Sequence, residues 1–577
     1  MLISSDFRNR YGKYILFATL FLLLLLKIYL FHWTVFQSVP LSSLWSYPQQ
    51  FFSFHLPKIA IALFFAAFAL IDRHWITVAL SFLLDIWIIA NLVYFRAYDS
   101  VLDIFAFSMA GNMKGWWGSV FFFMSIKDAV YLVLSCVYVA VYKVFSGGGQ
   151  RAWVLTLAFT FSAYLINLVG VECHRYCYTH NYDEKIVGIT PHYFNPFSYA
   201  MRNTIFTNHA AGTVSYFSIF HQIGFVLNDT FRIGNSYYKF TPEDETALAS
   251  MNILNPQSTR PLLEHPVIIV LWESLEDWVV NPVATPNLWR FMQNHHHLHA
   301  TRLARQVKGG NSMDGQMILN TGLLPISEGA VAFTFPHNTF PSLADCSQGP
   351  DAVIVPHEAI VWNQNLMSKA LGYDTTISVL PPEEYLFGEV IELRNNGYVV
   401  VQAVTAASHA PFSFGATRSS LQFIDAEMPH YMQAYMQACH YTDEHLAPLL
   451  EAFDCNPAFS EASLILTGDH TIFSQELRRN FQRYSDETGL GLHCNQPFCP
   501  LIVYTPSMQQ TVLIDDVDAC QMDAFSTYMP LLGLQDYYWK GLGVNLLDSV
   551  RFHRRYSEQE AYEMSDHLIR SNYFKQY

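Results

Sequence analysis

At 577 residues, with 51% hydrophobic and only 14% charged side chains, the chain is too apolar for an ordinary soluble protein of its length. Its formal charge of −15 argues against a nucleic-acid partner, which needs clustered Lys and Arg to neutralise phosphates. The composition fits a bilayer and a lipid or cell-envelope substrate instead.

The apolar excess lies at the front. Residues 14–36, 51–71, 75–95, 119–141 and 153–171 each approach the roughly 20 apolar residues that cross a bilayer, although His55 and Lys58 interrupt the second stretch. The first is too long for a signal-peptide core and lacks a small-residue cleavage site, so it is predicted to stay as an anchor. Arg8, Arg10 and Lys13 before the first span, Arg73 between the second and third, and Lys143 and Arg151 between the fourth and fifth predict those segments to be cytoplasmic. Everything after the fifth span then lies outside. Asp85 and Lys127 fall near the middle of their spans from opposite ends, which predicts an intramembrane ion pair. Lys27 is the alternative partner, and outward snorkelling the alternative fate of Lys127.

Residues 172–262 hold no steady period and read as a linker. Within it, residues 212–227 space bulky apolar side chains like one helix face, either along the membrane interface or packed on the outer domain. From residue 263 short apolar runs alternate with helical stretches. Strands are predicted at residues 265–271, 352–355, 375–379, 398–404, 462–467 and 500–504, and helices at 286–293, around 368–371 and at 426–453. The fold class is therefore an N-terminal polytopic α-helical membrane domain (1–171), the linker (172–262) and a C-terminal α/β domain (263–577). Nine cysteines form no zinc-ribbon spacing; Cys173 with Cys177 and Cys494 with Cys499 are nearest in sequence, and geometry decides whether either pair is bridged.

The chemistry sits where two apolar runs end. One, from Pro266 to Trp272, releases Glu273; the other, from Leu464 to Gly468, releases Asp469 and His470. Carboxylates and an imidazole at the C-terminal ends of parallel strands predict a divalent-metal site in the sheet crevice. Gly309 and Gly310 precede a helix start carrying Ser312. Backbone amides there are predicted to hold a phosphate, and Ser312 is either a nucleophile beside the metal or a plain helix cap. His409, beyond the 398–404 strand, is suited to contact phosphate or protonate a leaving oxygen, with a structural histidine beside Pro411 as the plainer alternative. The tract His295-His296-His297-Leu298-His299 reads as a solvent-facing loop.

Trp272-Glu273-Ser274, Thr285-Pro286-Asn287-Leu288, Gly310-Asn311-Ser312-Met313-Asp314, Trp362-Asn363, Ser408-His409-Ala410-Pro411-Phe412, Tyr441-Thr442-Asp443 and Gly468-Asp469-His470 stand in an order that resembles the lipoteichoic acid synthases. These phosphoglycerol transferases are sulfatase-like members of the alkaline phosphatase superfamily. The resemblance implies a sulfatase-like (alkaline phosphatase-type) C-terminal domain and one divalent ion, Mn2+ ahead of Zn2+, on Glu273, Ser312, Asp469 and His470. It implies a Ser312 nucleophile that takes phosphoglycerol from phosphatidylglycerol and passes it to an envelope glycan or lipid acceptor, with His357, Trp362 and His409 on the substrate. The expected location is a bacterial-type cytoplasmic membrane, multi-pass, with the catalytic domain outside.

His357 stands at a shorter spacing than the family's substrate-contacting histidine, and two further departures stand against the pattern: Ser312 replaces the family's usual Thr, and Gln364 replaces an Arg that grips the substrate phosphate. They keep alive a phosphoethanolamine transferase and a catalytically inactive, envelope-binding domain as alternatives. His493 loosely resembles a second-zinc histidine of the phosphoethanolamine transferases. A true sulfatase is disfavoured, because no Cys or Ser-x-Pro-x-Arg motif surrounds Ser312.

Overall fold

The computed structural model describes residues 5–36, 48–71, 75–98, 117–146, 151–179, 240–255, 258, 262–326, 329–380, 382–422, 427–515, 519–548, 556–571 and 573–575. The chain divides into two compact units, Met1–Ile104 with Trp116–Leu227, and Phe105–Gly115 with Asn228–Tyr577.

In the first unit, helices Ser5–Phe36, Pro48–Ala67, Ile76–Tyr98, Ala129–Phe145 and Trp153–Thr179 occupy the five apolar stretches. Among the described residues, Phe7–Phe31, Ile76–Ala97 and Ile126–Phe145 are long and apolar enough to cross a membrane, whereas Lys58–Leu70 and Trp153–Ile166 are shorter apolar helices. The first helix is the hub. Its Leu16, Leu20, Leu24 and Ile28, four residues apart on one face, pack against Ile61, Ala62, Ala66, Leu84 and Tyr138. Small residues such as Ala62 and Ala66 let helix backbones approach closely. Leu22, Leu83 and Val154 point outward at 63%, 61% and 80% exposure. Helices apolar on both inner and outer faces are what a lipid environment selects.

The predicted Asp85–Lys127 pair does not form. Asp85 Oδ1 lies 2.6 Å from Lys27 Nζ, the alternative partner, with both side chains fully buried. The cause is local: the fourth apolar stretch is broken between helices Trp117–Phe122 and Ala129–Phe145 by a turn that Ser125 and Asp128 close as a capping box. Lys127 therefore stands exposed at a helix start instead of in mid-span. Lys27 also donates to Ser81 Oγ at 3.0 Å and to Ser135 Oγ at 2.7 Å, and Ser135 donates in turn to Asp85 Oδ2.

The second unit is built on a nine-stranded sheet. Its strands are β1 Val267–Trp272, β2 Leu298–Ala304, β3 Ala352–Val355, β4 Thr375–Ser378, β5 Val400–Val404, β6 Ser463–Gly468, β7 Cys499–Tyr504, β8 Val512–Ile514 and β9 Ala519–Cys520. The order is β4-β3-β5-β1-β6-β7-β2-β8, with β9 also on β2. Strands β4, β3, β5, β1 and β6 run parallel, and β7 is antiparallel to both β6 and β2. Every residue of β1, β5 and β6 is buried, as in a sheet covered on both faces.

Alternate residues separate the two faces. Ile268, Val270, Trp272, Val401, Ala403, Leu464 and Leu466 join one core with helices Pro286–Asn294, Pro382–Asn395, His430–Cys455 and Gln475–Thr488. Gln402, of opposite parity, accepts from Asn320 Nδ2 at 2.7 Å, so helix Ser312–Thr321 lies on the other face. Helix Pro242–Ser250, within the stretch read as linker, packs on this unit, with Leu254 bridged to Trp539 and Phe240 4.2 Å from the Tyr573 ring. The amphipathic stretch at 212–227 lies outside the described residues.

One further expectation changes, and one open question is answered. The histidine tract is not a solvent-facing loop: His297 is buried, and His299 belongs to β2, with Nε2 2.8 Å from Asp277 Oδ1. Alternating polar residues had masked a strand that pairs on both sides, with β7 and with β8. Cys494 and Cys499 are separate buried thiols, not a local bridge.

Candidate metal centre and nucleophile

Because β1 and β6 are hydrogen-bonded in register to Trp272↔Gly468, the next residues, Glu273 and Asp469, leave the sheet side by side. One ligand atom each from Glu273, Asp469 and His470 lies within 4.8 Å of the others, and all three residues are buried. His470 Nε2 is 3.5 Å from Glu273 Oε1 and 3.6 Å from Asp469 Oδ2. A tight turn after β1 sets these positions: Ser274 adopts φ 53°, a left-handed conformation costly for a residue with a Cβ. In that turn Ser274 N donates to Asp469 Oδ1 and Ser274 Oγ to Glu273 Oε1, each at 2.7 Å. Thr405 Oγ1 accepts from Glu273 N at 2.9 Å, linking the end of β5 to the same place.

Ser312 opens its helix beside this group. Its Oγ donates to Glu273 Oε2 at 3.2 Å and lies 3.4 Å from His470 Nε2. Two glycines allow the approach. A Cβ on Gly315 would stand 2.5 Å from the Asp469 carbonyl oxygen, so only glycine lets this helix touch the β6 end, and a Cβ on Gly310 would collide with the Asp314 carboxylate at 2.0 Å. Asp314 Oδ2 accepts from the amides of Lys308 and Gly310, both at 2.9 Å. The Gly310 amide, in the loop expected to cradle phosphate, is thus occupied in shaping that loop. Asn311, at φ 47°, takes the remaining strain of the turn.

The electrostatics are those of buried, crowded carboxylates, with Arg305 the cationic side chain that acts on His470. Burial, together with the Asp469 charge, pushes the Glu273 carboxyl well above the usual carboxylate range. Burial likewise lowers His470, against the pull of Asp469. Asp469 Oδ2 is buried and has no hydrogen-bond partner among the described residues. An orphaned carboxylate oxygen beside a second carboxylate and a neutral imidazole fits a divalent cation, which would neutralise the crowding and satisfy the orphan at once.

The other predicted site residues are placed more loosely. Burial drives His409, after β5, down to about 4; His470 and Asp469 are among its electrostatic neighbours, and its Nδ1 lies 2.7 Å from Ala410 O. His357 stands outside the Glu273–Asp469–His470 group, with Nδ1 3.0 Å from Glu358 O. Trp362, at φ 56°, packs 5.7 Å from the Phe333 ring. His493 is exposed and outside the group. Gln364 faces inward: its amide exchanges hydrogen bonds with Gln316 at 2.9 and 3.0 Å and donates to Ser368 Oγ at 3.1 Å. Gln316 in turn accepts from Gln402, so the side chain at 364 is spent on tying the Ser312 helix to β5.

Sequence reasoning passed over Thr405, Gly315, Glu276 and Gln521. Gln521 Nε2 donates to Asp469 O at 2.7 Å, and burial pushes Glu276 up to about 7. These four reach the site through folding alone.

The profile of the lipoteichoic acid synthase N-terminal domain matches residues 3–208. The chain is 20% identical over 523 residues to a lipoteichoic acid synthase of Staphylococcus saprophyticus, covering 82% of this chain and 75% of that protein. It is 19% identical to lipoteichoic acid synthase 2 of Bacillus subtilis, covering 84% and 76%. Among solved structures, the lipoteichoic acid synthase LtaP of Listeria monocytogenes aligns at 16% identity and a TM-score of 0.46, over 58% of this chain and 98% of that one.

Proposed function

We propose that this chain, a relative of the lipoteichoic acid synthases and a sulfatase-like transferase, moves phosphoglycerol from phosphatidylglycerol to an alcohol of an envelope glycan or lipid. The reading places it in a bacterial-type cytoplasmic membrane with the second unit outside. Glu273, Ser312, Asp469 and His470 would hold one divalent ion, Mn2+ ahead of Zn2+, which when bound lowers the pKa of the serine hydroxyl and offsets phosphate charge.

The supporting observation is the Ser312 hydroxyl, within 3.2 Å of Glu273 Oε2 and 3.4 Å of His470 Nε2. Ser312 gives up its hydroxyl proton to solvent, its Oγ attacks phosphorus as the alkoxide, a new O–P bond forms, and the bond to the diacylglycerol oxygen breaks. That oxygen needs a proton. His409, whose Nδ1 bonds to Ala410 O, is assigned to supply it. An arriving phosphate anion favours the imidazolium, which then protonates the leaving oxygen. In the second half, the acceptor alcohol gives its proton to His409 and attacks phosphorus, and Ser312 leaves as the alkoxide that began the cycle. His357 and Trp362, in the segment that follows β3, are assigned to contact the substrate on the resemblance alone.

A phosphoethanolamine donor is the second reading, because Gln364, where the resemblance implies Arg, is turned into the core and offers no cation. One experiment separates them. After incubation with mixed phospholipids, a phosphoglycerol mass on the Ser312 peptide is expected. A phosphoethanolamine mass favours the second reading, and no adduct overturns transfer through serine.

A further inference from the structure

The register between β1 and β6 fixes Glu273 and Asp469 only as far as the strand ends. Beyond them the two ligand-bearing turns must be held by other bonds. The Ser274 N–H bond to Asp469 Oδ1 uses an atom of the candidate ligand itself. Another link between the turns spends no ligand atom. Glu276, 1% exposed, accepts from Ile472 N through Oε1 at 2.9 Å, and Ile472 lies two residues after His470. Its other oxygen accepts from Trp278 Nε1 at 2.6 Å. Glu276 N donates to Tyr435 Oη at 3.0 Å, and that hydroxyl donates to Ser274 O at 2.7 Å, so the long helix His430–Cys455 braces the same turn.

A carboxylate suits this position better than its isostere. Both oxygens accept from an N–H, whereas Gln offers one acceptor and one NH2, which would face a donor at either Ile472 N or Trp278 Nε1. Such a mismatch is costly where no water compensates. The geometry points to Glu276 as a positioning residue that locks the Glu273 turn against the Asp469–His470 turn and so sets the affinity of the site for its metal, an inference that rests on the metal-site reading above.

The test uses the full chain in nanodiscs, stripped of metal and titrated with Mn2+ by electron paramagnetic resonance. Glu276→Gln should weaken Mn2+ binding by about 10- to 100-fold, the usual effect of losing an outer partner of a metal site. At saturating Mn2+ its kcat should return to near the wild-type value, a split that general destabilisation would not produce. A folded Glu276→Gln chain that binds Mn2+ within about twofold of wild type overturns the assignment. Where that variant does not fold, Trp278→Phe decides, since it removes one of the two carboxylate bonds: binding at least about threefold weaker supports the role, and unchanged binding overturns it. Wild-type chain that binds no Mn2+ overturns the metal-site reading itself and is thereby told apart from a failure of Glu276.

Discussion

Each of the two units buries charge, and they do so in opposite ways. In the membrane unit, Lys27 meets Asp85 at 2.6 Å, and Ser81 and Ser135 complete the cluster. Here an ammonium stands beside the carboxylate, so its charge is answered within the cluster. In the second unit, Glu273 and Asp469 crowd like charges around a neutral imidazole and leave Asp469 Oδ2 without a hydrogen bond. Burying two carboxylates with no Lys or Arg ion pair to either among the described residues is costly, and a fold that keeps them together is shaped for a ligand. A completed cluster is a brace, and an incomplete one is a site.

The largest expected effect falls on the nucleophile. Ser312→Ala should lower headgroup transfer from labelled phosphatidylglycerol by at least about 1,000-fold, while Ser312→Thr retains part of it. An Ala variant that transfers at the normal rate reduces Ser312 to a helix residue and removes the chemistry from the incomplete cluster.

Metal removal comes next. Chelation should bring transfer to background and added Mn2+ should restore it, with the circular dichroism of the chain unchanged throughout. If the fold collapses on chelation, the carboxylate cluster is a structural brace after all.

The membrane cluster should respond in stability instead. Asp85→Ala strands Lys27 and should cost about 3–5 kcal/mol, read as lost folded yield and a lower melting temperature. Replacing both residues by Met and Leu should recover much of that loss. Wild-type yield from Asp85→Ala alone would break the contrast between the units.

The smallest effect concerns Asp443, which caps helix Pro286–Asn294 from the long helix by accepting from Asn287 N and Leu288 N at 2.8 and 2.9 Å. Burial pushes its carboxyl up to about 6 against those bonds. The folded state therefore holds a proton that the unfolded chain releases. Its stabilising share is complete below about pH 4 and falls away as pH rises through about 6, by about 3 kcal/mol at most. Asp443→Asn lacks this titration, so the melting temperature of wild type should fall relative to the variant between pH 4 and 7. A constant difference across that range rejects the assignment.

Local pattern made much of the architecture legible. Runs of apolar residues marked five helices in the first unit, and apolar runs bounded by polar turns marked β1, β3, β4, β5, β6 and β7 to within two residues or so at either end. It failed at β2, where histidine, threonine and arginine interrupt Leu298–Ala304 and the alternation breaks at Thr301 and Arg302, and at β8 and β9, which are too short to carry a pattern. It also failed at the fourth apolar stretch, where hydropathy ran straight through a capped turn at Ser125 and misplaced Lys127.

What the sequence determined by itself is whatever depends on neighbours along the chain: helix or strand from period, the end of a strand from the carboxylate that follows it, and a helix start from the glycine pair before Ser312. Choice of partner is another matter, because it depends on which side chains arrive from distant segments. Lys27 meets Asp85 from a helix 58 residues away in number because that helix presents Lys27 to it, while Lys127 ends outside the core. The inward turn of Gln364, the packing of Gly315 on the Asp469 carbonyl and the Glu276 bond to Ile472 are decided the same way. Each is a contact between segments that no local period encodes, and each exists only once the sheet has brought its strand ends together.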